Sequence, residues 1–224
     1  MKINELKNLL NEFGEKVRFE HDLKKKNWFN IGGKSKVFFK ADNLKELINF
    51  IKKLKGREKI FILGAGSNTL MTDNLFDGVV IKLSRNFNNI SLLGEDVIIA
   101  GSAVLDKALS DFAISNHLSG FEFLSCIPGT IGGGIRMNAG CFGKEFKDIL
   151  LSIQAIDSSG NVITLPSTDI KFEYRKTNLP DDLVFLSASF KGIKGNVDEI
   201  KNFTNELKSK KEKAQPTRIK TSGS

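Results

Sequence analysis

The chain has 224 residues, which allow one large domain or two small ones, and its 40% hydrophobic and 27% charged residues are ordinary for a soluble globular protein. No apolar run has membrane-spanning length and no basic, apolar leader opens the chain, so we expect a cytoplasmic protein without membrane insertion. The net charge of +8 suits an anionic ligand. Many lysines lie in residues 24–26 and 198–213, whereas most of the 18 phenylalanines lie in apolar runs, which predicts a solvated lysine face and no nucleic-acid partner.

The first half of the sequence predicts a helix followed by a strand–helix–strand unit. Residues 1–20 carry an amphipathic pattern typical of a helix that ends at Gly14. Residues 37–39 and 60–63 are predicted strands, and the apolar residues from 44 to 54 recur at helical spacing behind the candidate N-caps Asp42 and Asn43. A further strand is predicted at 79–81. A glycine turn at residues 64–68 follows the second strand, where α/β units commonly bind ligands.

The second half predicts a strand at 97–100, a helix with one apolar face from Val104 to Phe112, and a hairpin of residues 149–156 and 162–165. A strand at 183–190 and a helix at 197–213 follow. The sequence therefore predicts an α+β fold in two halves.

A second glycine-rich segment runs from Ile127 to Gly140 and contains no acidic residue. Glycine reaches positive φ and lets backbone N–H groups approach a ligand closely, and successive N–H groups in such turns favour anions such as diphosphates. A tight turn beside a bulged strand is the alternative. Together with the first turn, this segment predicts two backbone cradles for one large phosphorylated ligand.

Simpler nucleotide and metal motifs are excluded. Thr69 stands where a dinucleotide fingerprint needs its third glycine, and Trp28 stands where a phosphate loop ending at Gly33 needs its first. Cys126 and Cys141 have no histidine at zinc-ligand spacing, so we expect two reduced cysteines and no metal.

Several segments together resemble the bacterial UDP-N-acetylenolpyruvoylglucosamine reductases of cell-wall synthesis. The resemblance covers about residue 28 to the last residue, with the segments in family order. They are Asn30-Ile31-Gly32-Gly33, residues 63–68, 120–123, 127–134 and 137–140, Phe142-Gly143, residues 172–175, Gln215-Pro216 and Ser222-Gly223-Ser224.

The resemblance implies the two-subdomain FAD-binding fold of the vanillyl-alcohol oxidase type, with non-covalent FAD and with NADPH as hydride donor. It implies reduction of the enolpyruvyl group of UDP-N-acetylglucosamine enolpyruvate to UDP-N-acetylmuramate. This step belongs to peptidoglycan precursor synthesis, and so to cell wall biogenesis, cell shape and cell division.

The resemblance also implies roles for individual residues. Tyr174 and Arg175 would bind the substrate, Arg175 would face its carboxylate, and Ser224 would be the catalytic proton donor. From the residues alone, Arg175 could instead bridge a strand edge to an acidic neighbour such as Glu173, and Asn68 and Asn138 could be turn residues. The cofactor-binding residues implied are Gly64, Ala65, Gly66, Ser67, Asn68, Ile127, Pro128, Gly129, Thr130, Gly132, Gly133, Asn138, Ala139 and Gly140.

We expect an N-terminal helix at 1–20, FAD-binding subdomains at 21–90 and 91–213, and the start of a substrate domain at 214–224. The family's motif, its substrate domain and its late catalytic glutamate continue beyond the point where this sequence ends. The 224 residues are therefore expected to bind FAD but to be incomplete for catalysis. An FAD-dependent alcohol or sugar oxidase and a non-catalytic nucleotide-binding fragment are the alternatives, and the sequence indicates no oligomeric state.

Overall fold

The computed structural model describes residues 1–215. Its α-helices are α1 (Ile3–Leu9), α2 (Leu44–Leu54), α3 (Asp106–Ser115), α4 (Ile131–Arg136) and α5 (Val197–Ala214). Its strands are β1 (Val17–Asp22), β2 (Lys34–Ala41), β3 (Ile60–Ile62), β4 (Phe76–Leu83), β5 (Ile90–Leu93), β6 (Val97–Gly101), β7 (Leu118–Ser119), β8 (Gly140–Cys141), β9 (Lys144–Glu145), β10 (Leu150–Ile156), β11 (Val162–Pro166), β12 (Phe172–Glu173), β13 (Lys176–Thr177), β14 (Val184–Lys191) and β15 (Ile193–Lys194). Short 3₁₀ helices at residues 11–16, 24–26, 85–87, 122–126, 146–148 and 167–169 connect them.

The first half is a four-stranded sheet in the order β1-β2-β4-β3 with α2 as its crossover helix. The strands β2, β4 and β3 are parallel, and β1 is antiparallel to β2. Asn43 caps α2, since its side-chain oxygen accepts from the Glu46 N–H at 2.9 Å. On the buried face of the helix, the ring of Phe50 stacks on Phe39 of β2 at a centroid distance of 3.9 Å. The predicted strand–helix–strand unit is thus confirmed.

The second half is a five-stranded antiparallel sheet in the order β11-β10-β14-β6-β5. The predicted hairpin at 149–165 is its β10–β11 pair. The helices α3 and α5 pack on the 3₁₀ helix at Glu122–Cys126. Residues Ile156, Val184 and Leu186 of this sheet also lie in the apolar core of the first half, so the two halves share a packed boundary.

The predicted N-terminal helix at 1–20 is wrong over its second part. The helix ends at Leu9, and residues 17–22 form β1. Gly14, at φ +53°, interrupts the helical geometry. From Val17 onward the side chains alternate between buried and less buried positions, and hydrogen bonding to β2 sets a strand period of two.

The glycine-rich segment also differs from the alternative of a turn beside a bulged strand. Residues 131–136 form the helix α4. Glycine disfavours a helix interior by about 1 kcal/mol relative to alanine, so the glycines here do not predict a helix. Packing determines the conformation: a Cβ on Gly134 would lie 2.2 Å from the ring of Phe146, so only glycine lets α4 approach that ring.

In residues 1–215, no helix is both long enough and apolar enough to cross a membrane.

Candidate cofactor and substrate site

The first glycine turn follows β3 at the carboxyl end of the parallel strands. Lys82, on the neighbouring strand β4, donates from Nζ to the Gly64 carbonyl at 2.7 Å. The Gly66 carbonyl accepts from the Trp28 N–H at 2.9 Å, so the loop before β2 holds the turn from the other side. Within residues 1–215, the backbone N–H groups of residues 65–68 donate to no protein group. This row of open donors is suited to an anion.

The second glycine segment is fixed to the second sheet and to α3. The Ile131 N–H donates to the Val104 carbonyl and the Gly132 N–H to the Ser102 carbonyl, both at 2.9 Å. The backbone N–H groups of Gly129, Thr130 and Gly133 find no acceptor in the described part of the chain. This segment is therefore held rigidly while it leaves donors open.

The two segments meet. A Cβ on Gly64 would lie 2.5 Å from Thr130 Oγ1, so the backbone of the first turn touches the second segment. The structure thus brings residues 64–68 and 127–133 together, as the sequence predicted for one ligand. Two adjoining sets of open N–H groups fit the diphosphate of FAD. The chemistry of this donor set therefore agrees with the implied cofactor.

Gly66 and Gly129 are required for a different reason from the one that the sequence predicts, which is close approach of a ligand. The missing side chain of Gly66, which has φ +72°, leaves room for the Lys26 carbonyl, and a Cβ there would lie 2.3 Å from that oxygen. A Cβ on Gly129 would lie 2.5 Å from Asp106 Oδ2. These glycines accommodate neighbouring protein groups, so their part in ligand binding is to set the backbone shape.

A second cluster of predicted residues lies around Asn138. Its side chain is completely buried, and its amide nitrogen donates to Glu145 Oε2 at 2.9 Å and to the Glu173 carbonyl at 3.2 Å. Its amide oxygen accepts from the Lys147 N–H at 3.1 Å. The turn alternative for the Asn138 side chain agrees with these bonds. Within residues 138–140, the groups that can contact a ligand are therefore Ala139, Gly140 and the backbone, and not the Asn138 side chain.

Arg175 joins this cluster from the β12–β13 hairpin, whose two-residue loop is Tyr174-Arg175. The guanidinium donates to the Gly140 carbonyl at 3.1 Å and to the Asn138 carbonyl at 3.4 Å. It also lies 4.8 Å from the centroid of the Tyr174 ring and 3.9 Å from Glu145 Oε1. The alternative of an acidic neighbour therefore agrees with Glu145 and not with the example Glu173, which pairs with Lys171 at 3.3 Å.

A groove of about 430 Å³ opens beside Arg175. Tyr174 is mostly exposed along it, and the arginine side chain is 39% exposed, so both can meet a ligand. Glu145 carries the nearby negative charge, and its pKa is held below the usual range mainly by Lys147. The residues that line the groove are Gly140, Cys141, Phe142, Gly143, Lys144, Glu145, Lys147, Asp148, Tyr174 and Arg175.

Ser224 lies outside the described residues. Cys126 and Cys141 are both free thiols, and burial is the main cause that raises the pKa of Cys141. Residues 1–215 contain no cluster of three histidine, cysteine or acidic side chains that could hold a metal ion.

Sequence reasoning missed two polar residues that contact the two glycine segments. Lys82 is half-buried, and its pKa is lowered by that burial and by Lys26, yet it looks like an ordinary strand residue in an apolar run. Asp106 is completely buried under Gly129. Its place in the first turn of a predicted helix is typical of a solvated acid, so no sequence signal distinguished it.

Comparison with known proteins identifies a matching domain family and similar reductases. The FAD binding domain family matches residues 35–166, which include both glycine segments. The chain is 64% identical over 224 residues to the UDP-N-acetylenolpyruvoylglucosamine reductase of Pelagibacter ubique, covering all of this chain and 74% of that protein. The enzyme of the same name from Rickettsia bellii is 44% identical over 207 residues, or 92% of this chain and 68% of that protein.

Solved structures agree as well. The crystal structure of the UDP-N-acetylenolpyruvylglucosamine reductase from Thermus caldophilus superposes with a TM-score of 0.80 at 28% sequence identity. The match covers 92% of this chain and 73% of that one. The α+β FAD-binding fold expected from the sequence is thereby confirmed, and the chain belongs to the UDP-N-acetylenolpyruvoylglucosamine reductase family.

Proposed function

We propose that this protein reduces the enolpyruvyl group of UDP-N-acetylglucosamine enolpyruvate to UDP-N-acetylmuramate in peptidoglycan precursor synthesis. The observation that carries this function is the 64% identity to the Pelagibacter ubique reductase along the whole of the chain. The protein is accordingly an FAD-containing, NADPH-dependent oxidoreductase. A cytoplasmic location is part of the proposal, because nucleotide-sugar substrates and NADPH are supplied there.

When bound, FAD would supply the hydride-transfer chemistry between NADPH and the substrate double bond. We assign its diphosphate to the open N–H groups of residues 65–68 and of Gly129, Thr130 and Gly133. Half-buried Lys82 contacts the first glycine turn through the Gly64 carbonyl, and no carboxylate of residues 1–215 forms an ion pair with this lysine. Its charge therefore favours an anionic ligand. The two subdomains at 21–90 and 91–213 would contribute one segment each.

We assign the substrate carboxylate to Arg175. A guanidinium has five N–H donors in a planar fork that matches a carboxylate. Two of its nitrogens already donate to the Asn138 and Gly140 carbonyls, which fixes the plane of the fork beside the groove. The remaining donors can hold the carboxylate as negative charge develops on it during hydride transfer, and Tyr174 would cover the bound substrate from the solvent side.

Ser224 is proposed to donate the proton to the carbon next to the one that receives the hydride. In the protein expressed from its complete gene, we expect Ser224→Ala to lower substrate reduction by about 10²–10⁴-fold, the usual contribution of a positioned acid. Reduction of FAD by NADPH should continue at the wild-type rate, because the acid takes no part in it. Stopped-flow absorbance in the flavin band measures the two half-reactions separately. Equal slowing of both would contradict the assignment.

The function itself is tested with purified protein. We expect flavin absorbance that is released on denaturation, which establishes non-covalent binding, and NADPH consumption that depends on the enolpyruvyl UDP-sugar. A flavoprotein that instead oxidises a simple alcohol or sugar would be an oxidase if it reduces oxygen, or a dehydrogenase if it reduces an artificial acceptor. The proposed reaction would then be wrong.

A further inference from the structure

Asp106 is a buried acid that the proposed reaction does not use. It is the first residue of α3, and its side chain is completely buried. Neither carboxyl oxygen has a hydrogen-bond partner within residues 1–215. One turn further along the helix, the buried hydroxyl of Ser110 also lacks a partner in this part of the chain.

The Asp106 carboxyl lies directly beneath the second glycine segment. A Cβ on Gly129 would approach Oδ2 to 2.5 Å, so this oxygen occupies the space that any other residue at 129 would need. The Asp106 N–H donates to the Gly129 carbonyl at 3.1 Å, and Leu105 forms a β-bridge with Thr130. Backbone and side chain of this one residue therefore both contact the segment that we assign to FAD.

An unpaired carboxylate is strongly disfavoured in such a place, so the group stays protonated. Burial alone raises the pKa of Asp106 to about 8. No charged neighbour contributes to that pKa. The charged groups on the elements packed around Asp106 are directed to other partners or to solvent. On the helices, Lys107 and Asp111 of α3 are exposed, and Lys201 and Lys208 of α5 line a groove with Asp111. On the two remaining elements, Glu122 accepts from the Gly120 N–H and Arg136 donates to carbonyls of residues 179–183.

We propose that Asp106 is a positioning residue for the cofactor segment, whose uncharged carboxyl supports Gly129 and Thr130 in the conformation that binds FAD. This inference rests on the assignment of residues 127–133 to FAD. A carboxylate in the same place would have to draw in water or displace Gly129, and it would also repel the cofactor diphosphate. FAD affinity should therefore fall as Asp106 ionises.

The test compares the FAD dissociation constant of the apoprotein with that of Asp106→Asn between pH 6.5 and 9.5, followed by flavin fluorescence. Asparagine has the shape of the protonated acid and cannot ionise. We expect the FAD dissociation constant of the wild type to rise about tenfold from pH 7 to pH 9. One pH unit above the pKa, only about one molecule in ten still has Asp106 protonated and can bind FAD. The constant of the variant should stay within about threefold across this range.

Asp111→Asn is the matched control, because it makes the same change at an exposed position one turn away. It should keep the alkaline loss of the wild type. The same loss in Asp106→Asn, or no loss in the wild type, would overturn the inference.

Infrared titration of wild-type apoprotein provides a test that does not depend on the fold of a variant. The C=O band of a protonated carboxylic acid should persist at pH 7, disappear near pH 8 and titrate at higher pH once FAD is added. Absence of this band at pH 7 would overturn the inference. Protein that shows the band but binds no FAD at any pH would contradict the proposed function instead.

Discussion

Replacing Arg175 with lysine is expected to lower the rate of substrate reduction by about 10²–10³-fold, the usual loss when one donor to developing charge is removed. Lysine keeps the positive charge but has no planar fork, so it cannot hold a carboxylate through two parallel bonds. Lysine also lacks the second nitrogen that lets the guanidinium donate to the carbonyls of both Asn138 and Gly140. FAD reduction by NADPH should remain near the wild-type rate.

Arg18→Lys is the control for this experiment, because Arg18 is an exposed residue of β1 on the other half of the molecule. It should leave both half-reactions unchanged. Rapid-mixing absorbance of the flavin, first with NADPH and then with the enolpyruvyl substrate, separates them. If the Arg175 variant slows both half-reactions by the same factor, Arg175 holds residues 138–140 in place and does not bind the substrate.

The parts of the fold that could be predicted have strong local patterns. The helix α2 has apolar residues at helical spacing and a side-chain cap, and the β10–β11 hairpin has two apolar runs around a polar turn. Tertiary contacts decided the rest. Glu122 stands between Phe121 and Phe123 as an exposed strand residue would, yet it lies buried in a 3₁₀ helix, where both its oxygens accept from the Gly120 N–H. Such a local bond leaves no periodic signal.

The candidate site could be predicted where a chemical pattern was contiguous, as in residues 64–68 and 127–133. The contact of Gly64 with Thr130 joins them across the chain. Lys82 and Asp106 could not be predicted, because their importance comes from what the fold places above them: the Gly64 carbonyl in one case and Gly129 in the other. A charged residue in an apolar strand or at a helix start looks the same whether or not a cofactor segment covers it.

The ionisation of Asp106 also links the fold to pH. Its pKa of about 8 lies well above that of an unfolded aspartate, near 3.9, so the folded chain holds the proton over the interval between them. The unfolded chain binds fewer protons there, and the stability contributed by this site falls as pH rises from about 4 to 8. Asp106→Asn removes that dependence.

The largest expected loss of cofactor follows from Gly66→Val and Gly129→Val. A valine Cβ at 66 would lie 2.3 Å from the Lys26 carbonyl and would also require φ +72°, and one at 129 would lie 2.5 Å from the Asp106 carboxyl. Strain of about 1–3 kcal/mol at each position must be relieved by moving the backbone. Since each 1.4 kcal/mol changes a dissociation constant tenfold, we expect FAD affinity to fall by about 5-fold to 150-fold.

Gly94→Val separates this effect from strain in general. Gly94 has φ +63°, but a Cβ there meets nothing within 4 Å, and the residue lies in the β5–β6 turn away from both glycine segments. This variant should lose some thermal stability and keep its flavin. FAD titration of each apoprotein, with circular dichroism to establish the fold, measures both quantities. Full flavin occupancy in the folded Gly66 and Gly129 variants would show that the two segments do not form the FAD site, since a backbone displaced at either glycine could not present the same N–H donors to the diphosphate.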